Sequence, residues 1–187
     1  MKNQRGAALV IAVMGVCLMA ALGASLAVMT GTEARIAANY VHATEAGYAA
    51  EAALEIGIQE LMAQNDWTAL LSGTALSTFT DGAPGGHRRL ADGSMLDLGK
   101  LASEMTMDSP TWRLFAFGPL SQIQPTEDLR SDGYLVVWAR SDPAADAASL
   151  FLRAEAFGAA GTRRAVEATV RKTEAGGVRM LSWREVR

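Results

Sequence analysis

The sequence predicts an α+β protein: a long N-terminal helix, membrane-crossing in its first half and amphipathic in its second, packed on a four- to five-stranded antiparallel sheet. Three observations predict it. Residues 7–29 contain no charged side chain. An apolar stripe at helical spacing continues as far as Leu61. Beyond residue 111 the period shortens to the alternation of strands.

The uncharged run comprises 23 residues, with Ala7 and Met29 as its limits. At about 1.5 Å per residue it is roughly 35 Å long, enough to cross a hydrocarbon core of about 30 Å once. Gly15, Gly23 and Ser25 are the small residues on which membrane helices approach one another. Lys2 and Arg5 on the short leading side hold the N-terminus in the cytoplasm, so the chain after about Thr30 is exported. Three readings of the run stand side by side. A cleaved secretory signal needs a shorter apolar region and a break after a small-x-small site; Ala24 and Ala27 are small, but the helical pattern runs on. A plain single-span anchor for a ligand-binding head is the second. The third depends on the residues flanking the run.

Cys17 is the only cysteine, so no intramolecular disulfide forms. It sits inside the apolar run, where a small buried hydrophobe is expected. Gly15 and Val16 before it fit a lipidation site poorly.

The stripe consists of Ile36, Tyr40, Ala43, Gly47, Ala50, Leu54, Ile58 and Leu61, spaced by three or four residues and therefore on one helical face. Ala, Glu and Leu dominate this stretch, and all are good helix formers. Asn65 and Asp66 offer a stop after Gln64. The C-terminal half of the stripe is expected to pack on the chain's own sheet. Its N-terminal half has no sheet to meet and is expected to serve helix–helix packing.

The head comprises residues 66–187. Residues 66–110 carry little periodic signal, and Asp81-Gly82-Ala83-Pro84-Gly85-Gly86 followed by His87-Arg88-Arg89 reads as a mobile, solvated loop. Its glycines lack the Lys-Ser/Thr ending of a phosphate loop. Strands are expected at 112–117, 133–140, 149–157 and 163–172, with a further short one at 178–183. The glycine-bearing connection 158–162 predicts a hairpin. Arg153 and Glu155 share one face, as do Glu167, Thr169 and Arg171, so the polar sets read as a solvated sheet face. Helix and sheet together make a two-layer head.

Catalytic and metal chemistry find no support. His42 and His87 are far apart in sequence and have no Cys or Asp at metal-ligand spacing. Asp128, Asp132, Asp142 and Asp146 border the strands without the spacing of a calcium loop and read as solvated turn residues. No metal, cofactor or enzymatic activity is expected. A net charge of -3 gives no footprint for nucleic acid. The last 26 residues hold seven basic and three acidic side chains, which suits either an acidic partner or a solvated face.

Both ends of the apolar run carry a family resemblance. Lys2-Asn3-Gln4-Arg5-Gly6 followed by Ala7-Ala8-Leu9-Val10-Ile11 resembles the leader of type IV prepilins, a short basic segment ending in Gly before an apolar helix. Residues 33–55, with Glu33, Asn39 and Ala49-Ala50-Glu51-Ala52-Ala53-Leu54, look like the PilX N-terminal pattern. The resemblance covers about the first third of the chain. It implies a pilin-like architecture, a leader of residues 1–6, a membrane helix over 7–29, its amphipathic continuation over 30–65, and an extracytoplasmic head.

The same resemblance implies processing by a prepilin peptidase, with Gly6 the last leader residue and Ala7 the mature, methylated N-terminus. It implies minor and major pilins as partners, a tip adhesin among them, and a subunit of the inner membrane that reaches the pilus or cell surface on assembly. The departure is Ile11, which stands where most major pilins carry Glu. That favours a minor subunit that primes or caps assembly. A type II secretion pseudopilin stays open as the alternative, although its K-type member usually holds a large inserted domain.

Overall fold

The computed structural model describes residues 5–64, 66–90, 92–108, 111–123, 133–141 and 148–186. Its contacts divide the chain into two units, one ending at Val41 and one beginning at His42. Helix α1 (Arg5–Ala63) contributes to both.

In the unit from His42, five strands form one antiparallel sheet. They are β3 (Arg113–Pro119), β4 (Tyr134–Ser141), β5 (Ser149–Phe157), β6 (Arg163–Lys172) and β7 (Val178–Val186), lying side by side in chain order. The expected α+β class is therefore what the chain adopts. Expected strand positions agree to within a few residues, except that β7 runs on to Val186. The hairpin between β5 and β6 closes through Gly158 and Thr162, whose N–H and C=O meet at 2.8 Å.

Alternation along the strands fixes two faces. Leu135, Val137 and Ala139 of β4, Leu150, Leu152, Ala154 and Ala156 of β5, and Val166, Ala168 and Val170 of β6 all enter one core. Against them α1 lays Ala49, Ala50, Ala53, Leu54, Ile58 and Leu61. Alanine and glycine on this helical face permit close approach. A Cβ on Gly57 would stand 3.0 Å from Cγ1 of Val137, so the helix lies hard against β4.

The opposite face is also covered, which makes the expected two-layer head a partial three-layer one. After α2 (Thr68–Leu71), which joins the α1-side core through Trp67 and Leu70, a small hairpin of β1 (His87–Arg89) and β2 (Met95–Asp97) and the helix α3 (Leu98–Asp108) form this cover. Leu96, Leu98, Leu101 and Met105 from this region bury Phe117, Tyr134, Val136, Trp138 and Phe157. Asp97 caps α3 by accepting the Lys100 N–H at 3.0 Å. After α1 ends, Asp66 accepts the Thr68 N–H at 2.8 Å and starts α2. Asn65, the other expected stop residue, lies outside the described residues.

The segment expected to be a mobile loop is pinned. Asp81 Oδ1 accepts from Arg88 Nε and from the Tyr134 hydroxyl, each at 2.8 Å. Arg88 donates further to the carbonyls of Ala83 and Gly85, threading the turn from within. Gly82 and Gly86, at φ +120° and +76°, supply the backbone geometry. Burial, and then the Asp81 carboxylate that accepts its proton, push the Tyr134 hydroxyl well above its ordinary range.

The polar face of β5 and β6 is likewise less solvated than the sequence suggests. Glu155 is fully buried, with Arg153 Nε at 2.7 Å and Arg163 Nη2 at 2.8 Å. Arg153 also reaches Glu167 at 3.0 Å, and Glu167 in turn holds Arg184. A carboxylate is tolerated at this depth because both of its oxygens are paired. Arg163 adds cover by stacking 5.3 Å from the Phe157 ring centroid.

One further tie joins α1 to the segment before β1. Thr78 donates its N–H and its hydroxyl to the two oxygens of Glu60, at 2.8 and 2.7 Å. Partial burial raises the Glu60 pKa, but the bonds from Thr78 and Ser77 outweigh it and hold it below the ordinary 4.5. A lowered folded-state pKa gives stability that is complete above the unfolded value and lost as the pH falls through the folded one. The stability of the head is therefore expected to fall on acidification below pH 4.5, and Glu60→Gln to remove that part of the decline in urea melts of the full chain. Gly57→Leu is expected to cost about 1–3 kcal/mol in the same melts, because the helix cannot back away from Val137 without opening the core.

Candidate membrane and assembly segment

From Gly6 to Met29 the side chains of α1 have no cover from the described residues. Leu9, Ile11, Val16, Met19, Leu22 and Val28 are each about two-thirds or more exposed. The described residues contain one helix long and apolar enough to cross a membrane, and this is it. Burying a single Leu or Ile side chain is worth about 1.5–3 kcal/mol, so a surface built of many such residues is not one that water tolerates.

The backbone of this segment is self-sufficient, as an apolar solvent demands. Its polar side chains are satisfied in the same way. Ser25 donates to the Ala21 carbonyl at 2.9 Å, Thr30 to Leu26 at 2.9 Å and Thr32 to Val28 at 3.0 Å. Each hydroxyl folds back on the preceding turn. Gly15 and Gly23 are open: a Cβ built on either meets nothing within 4 Å. Cys17, expected as a buried hydrophobe within the apolar run, is exposed like its neighbours among the described residues.

The expected site residues fall as follows. Gly6 lies in the first turn of α1, with open space around it, and Ala7 beside it is exposed. Met29, the far limit of the run, is exposed, and the first charges beyond it are Glu33 and Arg35. Ile36 and Tyr40 of the stripe are exposed at 62% and 74%. Ala43 and Gly47 are half-buried, whereas Ala50, Leu54, Ile58 and Leu61 are in the core. Lys2, with the leader residues up to Gln4, lies outside the described residues.

His42 stands 3.6 Å from Glu45, and His87 stands 3.5 Å from Asp97 across the small hairpin. Among the described residues no three His, Cys, Asp or Glu side chains gather into a metal-holding group. Asp128, Asp132, Asp142 and Asp146 lie outside the described residues.

Sequence reasoning missed the layer built by α3 and the β1–β2 hairpin. A signal for α3 was present: Asp97 at an N-cap position, then Leu98, Leu101 and Met105 at helical spacing. No local signal announces the Arg88 clamp, because its acceptor is ordered partly by Tyr134 on a distant strand.

Residues 5–55 match the PilX N-terminal family. The match spans the whole uncovered part of α1 and continues into the part that packs on the sheet. No curated protein and no solved structure matches the chain. The resemblance to PilX-type pilins drawn from the sequence is thereby borne out over residues 5–55.

Leu18, at the middle of the apolar run, gives the plainest test of membrane residence. Leu18→Arg is expected to disfavour insertion by about 2.5–3.5 kcal/mol, read as loss of the chain from the membrane fraction, while Leu18→Ala leaves fractionation unchanged.

Proposed function

We propose that this chain, whose first segment is a PilX N-terminal domain, is a minor pilin that primes or caps the assembly of a type IV pilus. The observation that carries the reading is the apolar helical surface of residues 6–29, which the described residues leave bare. Before assembly that surface lies in the inner membrane as a single span. Lys2 and Arg5 hold the N-terminus in the cytoplasm and the head stands in the periplasm. In assembly the same surface passes from lipid to the helices of other pilins, where the open glycines let backbones approach. The helix thus serves as anchor and as assembly element, and needs no catalytic group for either.

Prepilin peptidase frees the segment by cutting between Gly6 and Ala7, and the new amine on Ala7 is methylated. Ile11 supports the minor role. A carboxylate five residues into the mature chain would pair with a neighbour's terminal amine, and an aliphatic side chain makes no such pair. A subunit lacking that contact suits the start or the tip of a filament, beside other minor pilins and an adhesin, better than its shaft. The head is displayed outward, held by the packed layers described above.

Mass spectrometry of the protein purified from cells that contain the peptidase tests this. The expected product begins at a methylated Ala7, and Gly6→Val is expected to retain the leader. An unmodified chain that keeps residues 1–6 would leave a plain membrane anchor as the better reading.

A further inference from the structure

The two edges of the five-stranded sheet are finished differently. The outer edge of β3 is occupied by residues 77–80. The Ser77 N–H donates to the Phe115 carbonyl and the Phe117 N–H to the Phe79 carbonyl, each at 3.0 Å, and Thr80 bridges Phe117 in parallel. At the other edge β7 pairs with β6 alone, and among the described residues nothing lies along its outer side. The open edge is nine residues long and presents unpaired backbone donors and acceptors. It also carries Met180, Leu181 and Trp183, exposed at 42%, 52% and 48%.

The side chains around this edge are sorted by face. Trp183 and Met180 stand opposite Ala168 and Val170, on the side that packs against α1. Ser182 and Arg184 stand opposite Thr169 and Glu167 on the other side, where the two hydroxyls meet at 2.8 Å. Past the register shift near Leu181, Arg179 faces the same way as Arg184, opposite Arg171. Among the described residues that polar face brings together the guanidiniums of Arg153, Arg163, Arg171, Arg179 and Arg184 and the carboxylates of Glu155 and Glu167. Among the described residues of this face the guanidiniums outnumber the carboxylates, and Arg179 and Arg184 stand on the open edge itself.

We propose that β7 is a docking edge for an extended segment of a different polypeptide, which adds as a sixth strand with acidic side chains toward Arg179 and Arg184 and apolar ones toward Met180 and Trp183. Strand addition draws its affinity from the main chain and its selectivity from alternate side chains, and here the alternation is basic on one face and apolar on the other. Two central antiparallel registers of a second copy of β7 are disfavoured. An antiparallel self-pair that sets Arg179 opposite Glu185 needs both on one face, and the register shift puts them on opposite faces. Moving the register by one residue sets Arg179 opposite Arg184, and like charges directly opposite are destabilising. The shift and the arginines thus discourage pairing with a like strand while favouring an acidic one. None of residues 6–29 enters this proposal, so it stands or falls apart from the reading of that segment.

Hydrogen exchange of the full-length chain in detergent micelles tests it, with a short synthetic peptide alternating Asp and Val as the probe. Saturating peptide is expected to slow exchange of the amides in 178–186 by about tenfold. Arg179→Glu and Met180→Thr are each expected to weaken binding by about tenfold with the thermal midpoint of the head unchanged. A peptide alternating Lys and Val is expected to give no protection. The proposal is overturned by unchanged exchange with the acidic peptide, by equal protection from the basic one, or by binding to Arg179→Glu at parental strength. Protection that appears on raising the protein concentration alone also overturns it, in favour of a second copy.

Discussion

A helical surface of aliphatic side chains that the described residues leave uncovered is the constraint from which the rest follows. From Gly6 to Met29 the bare surface is contiguous, mixes large aliphatic with small residues, and carries no charge. Their hydroxyl-bearing neighbours at 25, 30 and 32 turn back onto the helix rather than outward. Such a surface needs a solvent other than water. Lipid and similar helices both qualify, and under the proposed role a subunit that moves from one to the other exchanges like for like. The absence of a net hydrophobic gain between those two environments leaves close packing at small residues as the selective term. This is why Gly15 and Gly23, open on the helix, matter to the account.

The head follows the opposite rule, with each face of its sheet given cover from within the chain. On one side Ala50, Ala53, Leu54, Ile58 and Leu61 of α1 meet the aliphatic face of the strands. On the other side α3 and the small hairpin cover the aromatic half, and an arginine–glutamate ladder crosses the remainder. A head without a disulfide depends on such packing, on paired charges such as Glu155, and on ties such as Glu60 to Thr78. Of the two edges of the five-stranded sheet, the outer edge of β7 is the one left open among the described residues.

How much of this was legible in the sequence depended on the range of the forces involved. The charge-free run, the spacing of Ala50, Leu54, Ile58 and Leu61, and the alternation of β5 and β6 are local patterns, and each announced its element. The burial of Glu155 was not legible, since alternation marks which face a residue takes but not what lies over that face. Arg88 looked like part of a solvated basic cluster, because its partners Asp81 and Tyr134 are brought to it only by tertiary folding. The exposed row at Met180, Leu181 and Trp183 was hidden for the same reason: an apolar residue in a strand reads as core until the strand proves to be an edge. On the candidate segment, the family match and the physical pattern point the same way, and the match ends at residue 55, within the helical stretch that packs on the sheet.

Cys17 offers the most direct measurement of the central claim, since it is the chain's only cysteine and lies within the bare surface. A nitroxide attached there, with the protein in a lipid bilayer, reports its surroundings through collisions with dissolved oxygen and with a water-soluble nickel complex. The account predicts frequent collisions with oxygen and almost none with nickel, as for a site in the hydrocarbon core. Free access of the nickel complex to Cys17 would place the apolar helix in water and contradict it.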